Sequence, residues 1–310
     1  ILSGLVGSEM CIRDSAAPIR FITQEGNNMI RVLTAALLAT AAYAGPASAQ
    51  SGGTVDLAYV EWSDAVVATN ILKAVLEQEG YTVNLTPLPA AAMWQAVATG
   101  EADAMVAAWL PVTHAAYYEE LKDQVELIGP NVEGAKIGWA VPAYTDIASV
   151  ADLKEKGGLV DNQVIGIAPG AGLMQASEKA IEEYDLSSIK LVEGSDATMT
   201  AALKDAIDRK EDIVVTTWTP HWMFGRWDLK YLEDPMGAFG GEETVNTVAR
   251  LDLAEDMPEV HAILKNFKLS LEEEQKVMLE NEEGADPATT AKAWVEANAD
   301  TVSQWTAASQ

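Results

Sequence analysis

The chain has 310 residues and carries a net charge of −27, with only 20 basic residues. A surface this acidic repels phosphate backbones and anionic membranes, which disfavours nucleic acid and anionic membranes as partners and otherwise serves solubility. The single cysteine, Cys11, provides neither a disulfide framework nor a pair for thiol chemistry.

The amino-terminal segment reads as a targeting sequence. Met29-Ile30-Arg31 opens a basic region, Val32 to Ala44 is apolar, and Ala47-Ser48-Ala49 has the small residues of a cleavage site. The apolar run is too short to cross a bilayer. Residues 29–49 are therefore expected to be a signal peptide, cleaved after Ala49. Residues 1–28 carry no periodic pattern and are expected to be non-native upstream sequence. Arg13, Arg20 and Arg31 offset Glu9, Asp14 and Glu25, so trimming leaves the charge unchanged. With no lipid-acceptor cysteine at the cleavage site, the mature protein is expected to be soluble in the periplasm.

In chain order, Val55 to Val60 predicts a strand that delivers Trp62. Ser63 is placed to cap a helix with Val66, Val67, Ile71, Leu72, Val75 and Leu76 on one face and Gly80 beyond its end. Tyr81 to Leu85 alternates as a strand, and Ala90 to Thr99 follows as a helix. Ala104 to Ala108 is a short apolar run preceded by Gly100 and acidic residues. It predicts a buried parallel strand that delivers Trp109 and is stopped by Pro111. His114 to Lys122 reads as a helix, and Val125–Ile128 and Lys136–Val141 as two further strands.

A second βαβαβ rhythm starts after Pro142. It comprises a short helix at Asp152-Leu153-Lys154, a strand at Val164–Ala168, the turn Pro169-Gly170-Ala171-Gly172 and a helix at Leu173–Tyr184. A strand at Lys190–Val192, a helix at Thr198–Asp208 and a strand at Ile213–Thr217 running into Trp218 complete it. From about Val245 the pattern is helical to the end, with a capping box at Ser270 and Glu273 and Pro287 opening a helix after Asp286. These patterns predict an α/β fold of two lobes with a ligand cleft and a two-strand hinge. Lobe 1 would comprise residues 50–141 plus 246–310, and lobe 2 residues 142–245.

No catalytic motif is present, and no catalytic residue, metal or cofactor is expected. The three histidines, His114, His221 and His261, lack metal-ligand spacing, and His261 reads as a surface residue. Most carboxylates sit in helical charge runs such as Glu272-Glu273-Glu274.

Among the tryptophans, Trp94, Trp139, Trp294 and Trp305 read as packing residues, while Trp222 and Trp227 fit either role. Trp62, Trp109 and Trp218 share one position, the carboxyl end of a strand, which is where open α/β sheets bind ligands. An aromatic box with no carboxylate beside it selects a soft cation, each ring face contributing about 0.5–2 kcal/mol. Opposite in character is the run Ile165 to Gly172, which leads from a strand straight into a helix. The amides at Gly172 and Leu173 are then unpaired donors suited to a carboxylate, although the same residues also fit a plain tight turn. A cation box beside an anion cradle describes a small zwitterion.

The motifs Tyr59-Val60-Glu61-Trp62, Ala108 to His114, Gly166 to Met174, Thr217 to Phe224 and Lys230 to Pro235 resemble those of the glycine betaine (OpuAC-like) substrate-binding proteins of ABC transporters. The resemblance covers nearly all of the mature chain. It implies a periplasmic binding protein fold in which Trp62, Trp109 and Trp218 form a prism around a trimethylammonium group. It also implies that His114 and the amides of Gly172 and Leu173 meet the ligand carboxylate. The expected partners are a zwitterion (glycine betaine, proline betaine, carnitine or dimethylsulfoniopropionate) and an ABC transporter permease, with the protein acting as a monomer rather than an enzyme. The rival reading is a secreted carbohydrate-binding protein or hydrolase that stacks tryptophan on sugar rings; no carboxylate pair is evident near the three tryptophans, although Glu61 and Asp64 flank Trp62 and are the residues that discriminate this reading.

Overall fold

The structure is a computed structural model that describes residues 52–307, so the proposed upstream sequence, signal peptide and Cys11 lie outside the described residues. Its first half runs β1 (Thr54–Tyr59), α1 (Ser63–Gln78), β2 (Thr82–Pro87), α2 (Ala90–Thr99), β3 (Ala104–Leu110), α3 (Ala115–Leu121) and β4 (Val125–Pro142). The second half runs α4 (Leu153–Lys156), β5 (Gln163–Ile165), α5 (Gly172–Glu183), β6 (Lys190–Val192), α6 (Asp196–Arg209), β7 (Val215–Thr219), α7 (Met223–Arg226) and β8 (Leu229–Tyr231). The chain then returns through β9 (Glu243–Arg250) into α8 (Leu253–Asp256), α9 (Pro258–Asn266), α10 (Leu271–Glu282), α11 (Pro287–Ala297) and α12 (Ala299–Thr306).

The strand order β2-β1-β3-β9-β4-β7-β5-β6 divides at β4. In the first sheet β1 pairs in parallel with β2 and β3, as the βαβ rhythm requires. In the second, β5 pairs in parallel with β6 and β7. The two antiparallel crossing strands join them. Residues 125–135 of β4 pair with β9, whereas residues 136–142 pair with β7 and β8. This is the two-lobed α/β arrangement expected from the sequence, with both sheets sharing a strand.

Two expectations are corrected here. Residues 125–128 and 136–141 are not separate strands but parts of one 18-residue strand, β4. The intervening Gly129, Pro130 and Gly134 read as breaks, yet they are absorbed by register shifts along the β9 pairing. Likewise the chain is not purely helical after Val245, because Thr244 to Arg250 lie in β9. That strand is buried on both faces except at its ends, so it lacks the polar–apolar alternation that marks a half-exposed strand.

The terminal helices do fold back on the first sheet's side, α10 and α11 packing on α1 and α9 on β4. The capping box at Ser270 and Glu273 forms, and Asp286 caps α11 with Pro287 at its first position. Trp294 and Trp305 stack in that layer with ring centroids 5.7 Å apart, and Trp139 is buried against Phe239 with its indole N–H donating to Ser177 Oγ at 2.9 Å. Ser63 is not the cap of α1. Trp62 occupies that position in extended conformation, and Ser63 is the first helical residue. His261 is only partly exposed, its Nε2 lying 2.9 Å from Glu126 Oε1.

Candidate functional site

Trp62, Trp109 and Trp218 line one pocket, together with Asp64, Thr113, His114, Ile137, Ile167, Ala171, Gly172 and Leu173. The space among these residues is about 290 Å³ counting the part open to solvent, so the enclosed volume is small and suits a molecule of a few heavy atoms. All six residues singled out in the sequence therefore converge. Trp62 follows β1 and Trp109 lies near the end of β3 in the first sheet, while Trp218 lies near the end of β7 in the second. Two of these strand ends share a detail, since Leu110–Pro111 and Thr219–Pro220 are both cis peptides.

The turn after β3 closes on itself. His114 N donates to Trp109 O at 2.8 Å, and Trp109 N donates to His114 Nδ1 at 3.1 Å. That second bond fixes the tautomer, because an Nδ1 that accepts leaves the proton on Nε2. His114 is fully buried among Trp62, Trp94 and Tyr117, whose rings lie 5.7, 6.0 and 5.9 Å from it. Burial pushes its pKa down to about 3, so it is a neutral imidazole at physiological pH. Its Nε2 has no hydrogen-bond partner. A buried donor left without a partner costs about 1–3 kcal/mol, so this N–H is an open hydrogen-bonding position in the pocket lining. Trp94, expected only to pack, forms one wall of this imidazole's enclosure.

Across the pocket, Gly172 and Leu173 are the first two residues of α5, whose amides have no intrahelical acceptor. The two halves approach closely here. A β-carbon at Gly172 would stand 1.9 Å from the Thr113 carbonyl oxygen, so glycine is needed at this position. Tyr117 Oη donates to the Gly170 carbonyl at 2.5 Å, bridging the same two loops.

The sequence placed Asp64 only as a neighbour of Trp62, yet its carboxyl is part of the lining of this aromatic box. It lies in the first turn of α1, is 3% exposed, and accepts a 3.0 Å hydrogen bond from Trp218 Nε1 of the other sheet. Burial, and next the charge of Asp196, raise its pKa to about 6. Glu274 from α10 lies behind it, pushed well above the carboxylate range by burial and by Asp64. Glu61 is exposed and lies outside this pocket, so the carboxylate pair of the hydrolase reading does not form.

The family described as the substrate binding domain of ABC-type glycine betaine transport systems matches residues 53–297. The chain belongs to that family. It is 41% identical to the glycine betaine/carnitine transport binding protein GbuC of Listeria monocytogenes over 164 residues, which is 52% of this chain and 55% of that protein. The aligned stretch thus spans about half of that relative's length. Among solved structures, the lactococcal OpuAC in its closed, glycine betaine-bound conformation superposes with a TM-score of 0.80 at 41% identity, covering 82% of this chain and all of that one. A choline-binding protein in complex with choline follows at 0.77 and 26% identity, over 82% and 92% of the two chains. Among the described residues no helix is long and apolar enough to cross a membrane.

Two outcomes test this geometry. Gly172→Ala, favourable for a helix in itself, is expected to leave the folded halves intact but force Thr113 and α5 apart and break the Tyr117–Gly170 bond. A crystal structure of the variant with Thr113 in its original place would contradict this. The second concerns Asp64. Its folded pKa of about 6 exceeds the ordinary aspartate value of 3.8, so the folded state binds the extra proton and stability falls as pH rises from about 4 to about 6. Asp64→Asn should abolish that decline and be more stable by about 1–3 kcal/mol above pH 6, as read by denaturant titration across the pH range. An unchanged pH profile would show that Asp64 is not the group responsible.

Proposed function

We propose that this chain is the ligand-capturing component of an ABC importer and that its pocket takes glycine betaine or a close quaternary ammonium or sulfonium zwitterion, such as proline betaine, carnitine or dimethylsulfoniopropionate. Trp62, Trp109 and Trp218 face the methylated cation, while His114 Nε2 and the amides of Gly172 and Leu173 receive the carboxylate. The observation that carries this reading is the pocket's lining. It combines indole rings from both sheets, a buried imidazole N–H without a partner and an open helix N-terminus in one small space. A trimethylammonium group has no N–H to satisfy, so ring faces suffice for it, at about 0.5–2 kcal/mol each and more when desolvated.

The solved relatives hold glycine betaine and choline, two ligands that share the trimethylammonium group. The zwitterion is favoured here because choline has no carboxylate for His114 and the α5 amides. The protein acts as a periplasmic monomer that delivers its ligand to a membrane permease and performs no catalysis.

Calorimetric titration against betaines, choline and sugars tests the proposal. Trp109→Ala should weaken glycine betaine by about 2 kcal/mol or more, since it removes a ring face and admits water. Unchanged affinity would refute the cage. His114→Ala should weaken carboxylate-bearing ligands by about 1.5–3 kcal/mol and choline far less. Equal losses for both would show that His114 only supports the fold. Sugar binding without betaine binding would favour the carbohydrate reading.

A further inference from the structure

We propose that Asp196 is a positioning residue that ties closure of the two halves to assembly of the tryptophan cage, through its hydrogen bonds to Ser63 across the cleft. The inference rests on the ligand reading above for its binding assay, but not for its structural readout.

Asp196 is the first residue of α6, which follows β6 of the second sheet. An acid at a helix start is usually explained by the helix dipole, but the cap here is already made by Ser195 and Thr198, which bond each other's backbone amides reciprocally. The Asp196 carboxylate faces away from its own helix and is 8% exposed. Its Oδ2 accepts from the backbone N–H of Ser63 at 3.0 Å and from the Ser63 hydroxyl in a short bond. Its Oδ1 accepts from His221 Nε2 at 3.1 Å. The His221 Nδ1 accepts from Met223 N at 3.2 Å, which assigns the ring proton to Nε2.

Each partner adjoins a different wall of the cage. Ser63 lies between Trp62 and Asp64, both in the pocket lining and both from the first sheet's side. The His221 ring stands edge-on to Trp218 of the second sheet, centroids 4.5 Å apart. The carboxylate therefore holds the backs of Trp62 and Trp218 in one mutual geometry, and it makes the Ser63 bonds only when the halves meet. Burial works against this carboxylate, yet His221 and Ser63 hold it below the usual carboxylate pKa. It therefore enters the interface ionised, where hydrogen bonds to it are about twice as strong as neutral ones.

A double-mutant cycle tests the assignment. Asp196→Asn keeps the shape but sets an amide donor against Ser63 or His221, and Ser63→Ala leaves the His221–Asp196 pair whole. In the full chain, Asp196→Asn is expected to weaken glycine betaine binding about 10- to 50-fold and Ser63→Ala about 5-fold. The double variant should be no more than about twofold weaker than Asp196→Asn alone. Ligand-free melting temperatures should stay within about 2 °C of the parent, because the contact belongs to the closed state. Affinities within about twofold of the parent, additive losses, or a ligand-free melting temperature that falls along with affinity would each overturn the proposal.

The independent readout is the distance between spin labels at Glu120→Cys and Glu178→Cys in a Cys11→Ser background. In Asp196→Asn the fraction at short distance should fall, and an unchanged distribution overturns the latch. Should the parent not bind glycine betaine, the ligand reading fails by that result alone, and the latch is judged on the distance distribution with whichever titrated ligand shortens it in the parent.

Discussion

The pairing of β4 with β9 on one side and with β7 and β8 on the other is the constraint from which the site follows. A pocket lined from two sheets needs those sheets held in register, and here one strand belongs to both. The crossing strands also brace the binding turn directly. Glu243, first in β9, accepts from the amides of Val112 and Thr113 at 2.8 Å each, and Asn246 donates to the Ala108 carbonyl at 3.0 Å. Asn131 of β4 reaches the Val106 carbonyl and Thr247. The strands that cross between the halves therefore also fix the turn that presents Thr113 and His114. Motion at the crossing cannot leave that turn unaffected.

Electrostatics within the cleft follow from burial more than from the chain's overall charge of −27. Asp64, Asp196 and Glu274 are all buried, but their surroundings differ. Asp196 has three donors and stays ionised. Asp64 has one indole N–H and the charge of Asp196 nearby, and its pKa rises to about 6. Glu274 has an oxygen with no partner and is raised further. Asp64 and Asp196 come from opposite halves, so an empty cleft closes against the repulsion of like charges.

Much of this was legible in the sequence because strand-end position is a local property. Trp62, Trp109 and Trp218 each follow a short apolar run, and Pro follows the last two, so their shared placement could be read without tertiary information. The Gly172 turn was legible for the same reason, although its need for glycine comes from Thr113, 59 positions away in the chain, and only the fold reveals that contact. Asp64 was read only as a residue flanking Trp62, because it sits in an ordinary first helical turn. Its role comes from Trp218, which is 154 residues distant. The β4 and β9 readings failed where glycine and proline mimic strand breaks and where a doubly buried strand shows no alternation. Asp196 gave no signal beyond that of a helix-start acid.

A binding protein of this kind must also let go, and the chemistry of the pocket suits release. The lining offers three indole rings, a neutral imidazole and the amides of a helix start; Asp64, the one carboxyl in the lining, is already engaged by Trp218. Ring-face attraction requires the cation within about 6 Å of a centroid, and a hydrogen bond weakens steeply once its angle falls below about 120°. Interaction between full charges decays only as the inverse of distance and would hold a ligand across a half-open cleft. Because Trp62 and Trp109 lie on one side and Trp218 on the other, opening by a few ångströms separates the cage walls and parts His114 from the α5 amides in the same motion. Affinity is then concentrated in the closed geometry, and a partner that pulls the halves apart needs no competing ligand to empty the site.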